Sequence, residues 1–316
     1  MNILVTGGMG FIGSNYILNR MEKYDDFIYN MDSLTYASNP WYLEKIKNLS
    51  NYKFINDDIN NISIHGQELR DLDTIVNFAA ESHVDNSIKD SSSFIISNIM
   101  GTHALLEHAR KNDLRFHQIS TDEVYGALPV DSKKKFNVDS PYNPKNPYSA
   151  TKASADMLVR SYCNTYGIKA TISNCSNNFG PHQHREKLIP KTILNLMNNE
   201  KVPIYGDGRQ IRDWIYVTDH CNGIDLILEK GKAGKTYLIG SDGEHSNIEV
   251  VNAIIHLMKK NADMIKFVDD RPGHDKRYAI DASSIRKLGW KPVFNFDDAL
   301  SQTVDHYIKN YENYIL

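Results

Sequence analysis

The sequence predicts an α/β protein in which a doubly wound parallel sheet is joined by a smaller α/β lobe towards the C-terminus. Short β-rich segments alternate with helical stretches through the first 120 residues, which is typical of βαβ units. The first strand, Asn2–Thr6, is apolar almost throughout, as expected for a strand covered on both faces. A glycine-rich turn, Gly7–Gly13, follows this strand directly and opens a helix.

Each element has a local signal in the sequence. β-branched and aromatic residues mark the strands, and apolar residues three or four positions apart mark the helices. The predicted strands are Asn2–Thr6, Phe27–Met31, Tyr52–Ile55, Thr74–Phe78, Arg115–Ile119, Ala170–Asn174, Trp214–Val217 and Thr236–Ile239. The predicted helices are Phe11–Glu22, Phe94–Lys111, Tyr148–Tyr166, Thr218–Glu229, Asn247–Lys260 and Asp297–Asn310. The proline-rich segment Pro141–Pro147 predicts a loop.

Composition excludes several classes of protein. The 316 residues are 41% apolar and 24% charged, and 36 basic against 39 acidic side chains give a formal net charge of -3. This balance argues against nucleic-acid binding. No apolar run reaches the roughly 18 residues of a membrane span, and no signal-peptide pattern is visible. Three cysteines without a C-x-x-C spacing, Cys163, Cys175 and Cys221, fit a reducing compartment. We therefore expect a cytoplasmic protein without a membrane or nucleic-acid partner.

The glycine turn predicts a dinucleotide site. Glycines allow a tight turn and close approach of the backbone to a diphosphate, and the helix N-terminus that follows attracts its negative charge. The spacing of Gly7, Gly10 and Gly13 differs from the common G-x-G-x-x-G fingerprint. Asp32 follows the second strand, where an acid binds the adenosine ribose and repels a 2′-phosphate. This pattern favours NAD over NADP. The alternatives are a glycine-rich turn without a ligand and a capping role for Asp32.

A change of composition near residue 175 indicates two units. We expect residues 1–174 to form a Rossmann-type NAD-binding domain, to which the chain returns at about residues 209–240. Residues 175–208 and 241–316 would then form a smaller lobe that binds the substrate.

Tyr148 and Lys152 are a candidate catalytic pair. They are four residues apart and therefore lie on one face of a helix. A neighbouring ammonium group stabilises a phenolate and lowers the tyrosine pKa, so that the tyrosine can act as a general base. An exposed helix pair without a catalytic role is the alternative.

These features resemble a known enzyme family. The glycine turn, the Tyr148–Lys152 pair and a preceding strand that ends at Ser120-Thr121 are similar to the extended short-chain dehydrogenases/reductases. The resemblance implies that Thr121 hydrogen-bonds a sugar hydroxyl beside Tyr148. It also implies a tightly held NAD that is recycled in each turnover.

Two carboxylates narrow the resemblance. Asp122 and Glu123 follow Thr121 directly, and two such groups can act as acid and base only if their surroundings separate their pKa values. A solvated acidic turn is the alternative. Eight separated segments in order resemble the dTDP-glucose 4,6-dehydratases. They are Asp32–Ala37, Ala79–Asp85, Thr121–Gly126, Pro147–Lys152, Asn174–Asn178, Glu186–Pro190, Ile211–Trp214 and Asp270–His274.

The resemblance assigns a role to each catalytic residue. Tyr148, supported by Thr121 and Lys152, would take the proton of the C4 hydroxyl while hydride passes to NAD. Glu123 would remove the C5 proton, and Asp122 would protonate the departing C6 hydroxyl. Hydride then returns to C6 and C5 is reprotonated, which gives a nucleotide-linked 4-keto-6-deoxy-glucose and regenerates NAD. The enzyme would be a hydro-lyase of deoxysugar biosynthesis.

The resemblance also implies two sets of contacts. Those to NAD are Gly7, Gly10, Phe11, Ile12, Gly13, Asp32, Ser33, Leu34, Thr35, Asp58, Ile59, Phe78, Ala79, Ala80, Ser82, Ser97, Tyr148, Lys152 and Asn178. Those to the nucleotide sugar are Ser82, Thr121, Asn177, Lys187, Leu188, Pro203, Ile204, Tyr205, Arg212, Asn247, Arg271 and His274. Ser97 stands where the family usually has threonine, and this keeps the hydroxyl.

Some features depart from the family pattern or admit other functions. The segment Pro181–Arg185 lacks the usual aromatic residue and proline, which leaves a UDP-sugar 4,6-dehydratase as an alternative. Residues 126–140 are shorter than in many bacterial relatives. His182 and His184 lack a third ligand, so we expect no metal. An NAD-dependent nucleotide-sugar epimerase or decarboxylase is a further alternative, and a non-catalytic dinucleotide-binding regulator is another.

The resemblance also implies a homodimer. The helices Phe94–Lys111 and Tyr148–Tyr166 carry apolar positions that could pack as a bundle across a two-fold axis. The alternative is that these positions only cover the sheet of their own chain.

Overall fold

The computed structural model describes residues 1–270 and 275–315. It contains three sheets built from twelve strands. The strands are β1 (Asn2–Thr6), β2 (Phe27–Met31), β3 (Tyr52–Ile55), β4 (Thr74–Asn77), β5 (Arg115–Thr121), β6 (Ala170–Cys175), β7 (Asn177–Phe179), β8 (Val202–Tyr205), β9 (Ile211–Tyr216), β10 (Thr236–Ile239), β11 (Glu244–Ser246) and β12 (Ile265–Val268). Seven strands form the main sheet in the order β10-β6-β5-β4-β1-β2-β3, and all of its pairings are parallel. The predicted α/β fold with a doubly wound parallel sheet is therefore confirmed.

Helices cover both faces of the main sheet. They also build most of a second group of elements, which lies beside the main sheet. They are α1 (Phe11–Lys23), α2 (Val84–Lys89), α3 (Ser92–Phe94), α4 (Thr102–Lys111), α5 (Pro147–Tyr166), α6 (Leu188–Met197), α7 (Val217–Lys230), α8 (Asn247–Leu257), α9 (Ser283–Arg286), α10 (Phe296–Lys309) and α11 (Glu312–Ile315). Short 3₁₀ segments lie at Pro40–Leu43, Ile59–His65, Asp122–Tyr125 and Ala262–Met264. A π-helical segment, Ile95–Gly101, joins α3 to α4, so the single helix predicted at Phe94–Lys111 contains a wider turn.

Helix α5 has strong end signals. Asn146 accepts a hydrogen bond from the backbone N–H of Ser149, whose side chain completes a capping box, and Pro147 is at the first helical position. Gly167 ends the helix with a left-handed φ of 70°, a conformation that glycine adopts without strain. The prolines that predict a loop therefore also start the helix.

The chain returns to the main sheet after a second group of elements has formed. β10 pairs in parallel with β6, and α7 packs against α1. β7, β9 and β11 form a three-stranded sheet, and β8 pairs with β12. These two small sheets lie beside α6, α8 and α10 and place the second group next to the ends of β5 and β6.

The main sheet separates two apolar layers. Ile3 and Val5 of β1 belong to one buried cluster, and Leu4 between them belongs to the other, because successive side chains of a strand point to opposite faces. This explains why the first strand is apolar at almost every position. The layer that contains Ile3 continues without a break to Ile193 of α6 and Val250 of α8, so the second group shares its core with the main sheet.

A buried charge network fixes α1. Arg20 is 1% exposed; its Nε donates to Asp26 at 2.6 Å and its Nη1 donates to Asp225 of α7 at 2.9 Å. The arginine neutralises two carboxylates that would otherwise be costly to bury. It thereby holds the helix that follows the glycine turn against both β2 and α7.

We expect Arg20→Met to lower the free energy of unfolding by about 3–5 kcal/mol at neutral pH, because it removes the guanidinium that pairs with two buried carboxylates. Burial already raises the pKa of Asp225, and Arg20 acts against that rise. Without Arg20 this pKa rises further, so the carboxyl takes up a proton as the pH falls. The loss in the free energy of unfolding caused by Arg20→Met therefore becomes smaller at lower pH. Urea unfolding at neutral and at mildly acidic pH measures both effects. Glu22→Gln, at an exposed position of the same helix, is the control, and an equal deficit at both pH values would contradict this account.

Candidate active site

A cleft opens at the carboxyl ends of the parallel strands. Its walls include the residues that follow β1, β2, β4, β5 and β6. The strand order reverses between β1 and β4, and open α/β sheets bind their ligands at such a switch point. The site is therefore where the topology predicts it.

The glycine turn forms the floor of the cleft and leaves no room for side chains. Gly7 has a φ of 68°, and a Cβ there would lie 2.8 Å from Cα of Ala79. A Cβ on Gly13 would lie 2.4 Å from the carbonyl oxygen of Gly7. Gly10 is the N-cap of α1 and makes no side-chain capping bond, so the first N–H groups of α1 remain available to a phosphate. These residues fit a dinucleotide diphosphate.

Asp32 organises the loop after β2. One carboxylate oxygen accepts from the N–H of Met9 at 2.9 Å. The other accepts from the N–H of Leu34 and from Oγ of Ser38, both at 2.8 Å. The capping role considered from the sequence is thus present, and Asp32 still lines the cleft, where its remaining acceptor capacity suits ribose hydroxyls.

Five candidate catalytic residues meet deeper in the cleft. Thr121, Asp122 and Glu123 lie at the end of β5, and Tyr148 and Lys152 lie on the first turns of α5. The hydroxyl of Thr121 and the carboxyl groups of Glu123 and Asp122 all act on the pKa of Tyr148, so the strand end and the helix lie close together. The structure brings all five together.

The structure corrects one electrostatic expectation. Burial, and next the negative charge of Glu123, raise the pKa of Tyr148 well above its usual value, whereas the Tyr148–Lys152 spacing predicted a lowered one. The Lys152 Nζ instead donates to the carbonyl oxygen of Ile119 at 2.6 Å. Burial lowers the pKa of Lys152. In this structure the ammonium is bound to the strand, and its stabilisation of a phenolate is outweighed by desolvation.

The two adjacent carboxyl groups have different surroundings. Asp122 is 2% exposed, and burial together with the charges of Glu123 and Asp213 raises its pKa well above the usual range. Glu123 is only half-buried, and its backbone N–H donates to Oγ1 of Thr121 at 3.3 Å. The pair therefore contains one carboxyl whose surroundings favour the protonated form, as a general acid requires.

Most of the predicted cofactor residues line the cleft. Besides Tyr148 and Lys152 they are Gly7, Gly10, Phe11, Ile12, Gly13, Asp32, Ser33, Thr35, Asp58, Ile59, Phe78, Ala79, Ala80, Ser82, Ser97 and Asn178. Leu34 is not among the lining residues; its backbone has a left-handed φ of 55°, and its N–H is bound by Asp32.

The predicted nucleotide-sugar residues divide into two groups. Ser82, Asn177 and Lys187 line the cleft together with Thr121, and the Lys187 Nζ donates to the carbonyl oxygen of Ser82 at 3.4 Å. The others lie outside its lining: they are Leu188, Pro203, Ile204, Tyr205, Arg212 and Asn247. Arg271 and His274 lie outside the described residues.

Two of the predicted residues outside the cleft lining, Ile204 and Arg212, are buried. The side chain of Ile204 is 1% exposed and belongs to the core, so it cannot contact a ligand as the resemblance implied. Arg212 is 5% exposed; its guanidinium donates to the carbonyl oxygens of Ile211 and Asp275 and lies 4.3 Å from the centre of the Tyr278 ring. Its charge lowers the pKa of Asp122 against the effect of burial, which places it near the catalytic acids.

The two histidines considered for a metal have other surroundings. The His182 Nδ1 is 3.0 Å from Oγ of Ser14, and the imidazole stacks on Tyr42 with ring centres 4.2 Å apart. Burial lowers its pKa to about 3. His184 lines the cleft. Across the described residues, no three His, Cys, Asp or Glu side chains are grouped so that they could hold a metal ion.

The sequence missed several residues of the cleft wall. They are Met31, Ala37, Ser38, Asp57, Glu81, Ile119, Ser120, Cys175, Ser176, Gln183, His184 and Glu186. Most are neighbours of predicted residues on the same strand end or loop, so the rule that ligands bind at the carboxyl ends of strands could have found them. Asn98 supports this wall from behind: its side chain binds the backbone of Glu81 and Oγ1 of Thr151.

Comparisons with known proteins agree with this geometry. The family model described as GDP-mannose 4,6 dehydratase matches residues 4–303. The chain belongs to this family. Within it, the dTDP-glucose 4,6-dehydratase of Mycobacterium tuberculosis is 44% identical over 313 residues, which are 98% of this chain and 94% of the relative. The low-salt glycan biosynthesis protein Agl12 of Haloferax volcanii is 47% identical over 309 residues, 98% and 99% of the two chains.

A solved structure shares the whole fold. The crystal structure of DesIV, a dTDP-glucose 4,6-dehydratase from Streptomyces venezuelae with NAD and TYD bound, superposes with a TM-score of 0.95. It is 40% identical, and the match covers 99% of this chain and 98% of that chain. The family resemblance found in the sequence is confirmed.

We expect Gly13→Ala to abolish measurable NAD binding, because the new Cβ would lie 2.4 Å from the Gly7 carbonyl oxygen and would push the turn into the space of the diphosphate. Titration of NAD followed by intrinsic fluorescence measures this loss. Gly66→Ala is the matched control, since its Cβ would meet its nearest atom at 3.5 Å. Unchanged affinity in Gly13→Ala would show that the turn does not hold NAD.

Proposed function

We propose that this protein is an NAD-dependent hydro-lyase that converts dTDP-glucose to dTDP-4-keto-6-deoxy-glucose. The observation that carries the proposal is the meeting of a deeply buried acid, Asp122, and a second carboxyl, Glu123, with the Tyr148–Lys152 pair. An epimerase needs no acid to expel a hydroxyl group, so this pair favours dehydration. The relatives described as dTDP-glucose 4,6-dehydratases support the same reaction.

The glycine turn, Asp32 and the other cofactor residues of the cleft would hold NAD. Bound NAD would supply the acceptor for the hydride of C4 and the donor of hydride to C6. Thr121 would hydrogen-bond the C4 hydroxyl and orient it towards Tyr148, which takes its proton. The ammonium of Lys152 lies on the same face of α5 and would stabilise the Tyr148 phenolate that accepts this proton, once the sugar and the cofactor have displaced water.

The carboxyl pair would then complete the elimination. A ketone at C4 acidifies the C5 proton, and the half-buried Glu123 would remove it. Asp122 would donate its proton to the C6 hydroxyl, which leaves as water. This proton is present whenever the pH lies below the raised pKa of Asp122. When hydride adds at C6, the proton held by Glu123 would return to C5, which completes the 4-keto-6-deoxy product.

We propose that the two units of the chain divide the ligands. Residues 1–174 and 209–240 would hold NAD, and residues 175–208 and 241–316 would hold the nucleotide sugar. The return of β10 to the main sheet and the position of Asn177 and Lys187 on the cleft wall support this division. β9 departs from it, because it lies within residues 209–240 but pairs with β7 and β11 in a small sheet. A UDP-sugar is the second candidate substrate, since the segment Pro181–Arg185 departs from the family pattern and places His184 at the cleft.

Incubation with dTDP-glucose, UDP-glucose and other nucleotide hexoses, followed by mass spectrometry, tests the function. We expect one molecule of water to be lost from dTDP-glucose. The double variant Asp122→Asn, Glu123→Gln should still reduce bound NAD but should stall before elimination, because it lacks both the acid and the base. The near-ultraviolet absorbance of reduced NAD measures the first step.

The single variant Tyr148→Phe is the matched control, since it should prevent even the reduction of NAD. Full dehydration by the double variant would contradict the roles given to the two acids. A product of unchanged mass from the unaltered protein would indicate an epimerase.

We propose that the protein is a cytoplasmic homodimer. Three exposed side chains of the π segment, Ile95, Ile96 and Met100, and Met157 of the neighbouring α5 form an apolar surface, and contiguous exposed apolar area marks interaction sites. The three cysteines are all free, as in a reducing compartment. No helix within the described part of the chain is long and apolar enough to cross a bilayer.

We expect Met100→Asp combined with Met157→Asp to convert the dimer to monomers, because two buried charges would face their copies across a two-fold axis. Sedimentation velocity at micromolar concentration measures the mass. Ile64→Asp is the control, as Ile64 is 73% exposed in a different segment. A monomeric mass for the unaltered protein would exclude the dimer.

A further inference from the structure

A buried carboxylate lies behind the Tyr148–Lys152 pair and has no role in the reaction described above. Asp156 is on α5, four residues after Lys152, and is 0% exposed. Its Oδ2 accepts three hydrogen bonds, from Ser120 Oγ at 2.8 Å, Tyr142 OH at 2.9 Å and Asn174 Nδ2 at 3.2 Å. Three segments of the chain therefore converge on one oxygen atom.

These segments carry the catalytic groups. Ser120 precedes Thr121 at the end of β5, and the amide of Asn174 also donates to the carbonyl oxygen of Thr121 at 3.0 Å. Tyr142 lies in the loop that leads into α5. Because Asp156 is itself on α5, its carboxylate ties the strand end that holds Thr121 to the helix that holds Tyr148.

The same carboxylate is one helical turn from a buried ammonium. Lys152 is 4% exposed, and a buried cation is costly unless a negative charge compensates it. The carboxylate of Asp156 acts against the lowering effect of burial on the pKa of Lys152. The second oxygen of Asp156, Oδ1, has no hydrogen-bond partner among the described residues. No hydrogen-bond donor therefore offsets the negative charge on this oxygen.

The neighbourhood of both groups is mainly uncharged. The titratable or charged groups that face Asp156 are Lys152 and Arg160 on α5 and, from the segments packed against it, Tyr125 and Tyr142. Those that face Lys152 are Asp156 on its own helix and Cys175 on β6. Burial raises the pKa of Cys175 to about 12, so at neutral pH it is a neutral thiol. Asp156 is thus the acid that compensates Lys152.

We propose that Asp156 is a positioning residue: its carboxylate fastens the end of β5 to α5 and keeps the positive charge of Lys152 in the active site. It touches neither of the expected ligands and acts through Thr121 and Lys152. The inference rests on the proposed function, since it gives Lys152 the task of stabilising the Tyr148 phenolate.

The direct test is the titration of Lys152 in the purified full-length chain. Lysine labelled with ¹³C at Cε reports its own protonation by NMR, and Lys152→Met identifies the signal. We expect Asp156→Asn to lower the pKa of Lys152 by about one unit or more, the effect of removing a nearby opposite charge. Asp156→Glu should restore most of the original pKa because it keeps the charge.

The second readout is the pH profile of kcat. We expect its alkaline limb to move to lower pH in Asp156→Asn by the same amount as the pKa of Lys152, whereas a purely structural role would lower kcat equally at all pH values. Asp219→Asn is the matched control, since Asp219 is 1% exposed on α7 and accepts from the backbone of residues 293 and 294. That variant should leave both the alkaline limb of the kcat profile and the pKa of Lys152 unchanged.

Asp156→Ser is a second neutral variant that keeps a hydroxyl group for the three donors, and circular dichroism checks folding. An unchanged Lys152 pKa, or loss of the fold in both neutral variants, would overturn the proposal and leave Asp156 as a structural residue. These outcomes can be distinguished from a failure of the proposed function. In that case the unaltered protein would not dehydrate any sugar nucleotide, but Asp156→Asn would still lower the pKa of Lys152.

Discussion

The contact between the Gly7–Gly13 turn and the segment after β4 sets the geometry of the whole cleft. A Cβ on Gly7 would lie only 2.8 Å from Cα of Ala79, so the two backbones are in close contact and leave no space for a side chain between them. This contact fixes α1 above the sheet, and Arg20 then locks α1 to β2 and α7. β5 lies directly beside β4, so the position of Thr121 follows from the same constraint.

Burial, more than any ion pair, decides the chemistry of the site. The same desolvation raises the pKa of Asp122, makes Tyr148 a poor acid and weakens the proton affinity of Lys152. Neighbouring charges adjust these effects. The charge of Glu123 adds to the effect of burial on Asp122, whereas the charge of Asp156 opposes the effect of burial on Lys152, so neighbouring side chains can hold or release protons at different pH values.

The sequence predicted local features better than spatial ones. The strand Asn2–Thr6, the capped helix after Asn146 and the five catalytic candidates depend on nearby residues, and the structure contains all of them. The sequence did not reveal that Ile204 is in the core or that Lys152 binds the Ile119 carbonyl. Both depend on contacts between distant segments. Asp156 was missed because a single acid within a helix resembles any exposed one until its depth is known.

The π-helical segment Ile95–Gly101 contributes both to the cleft and to the exposed apolar surface. Ser97 lines the cleft and Asn98 supports its wall, while Ile96 and Met100 are exposed outside it. A π turn holds an extra residue compared with an α turn, and each residue of an α-helix advances the rotation by about 100°. Deleting one residue here would rotate Leu105 and Leu106, both 0% exposed, out of phase with the sheet. The length of this segment is consequently as constrained as its composition.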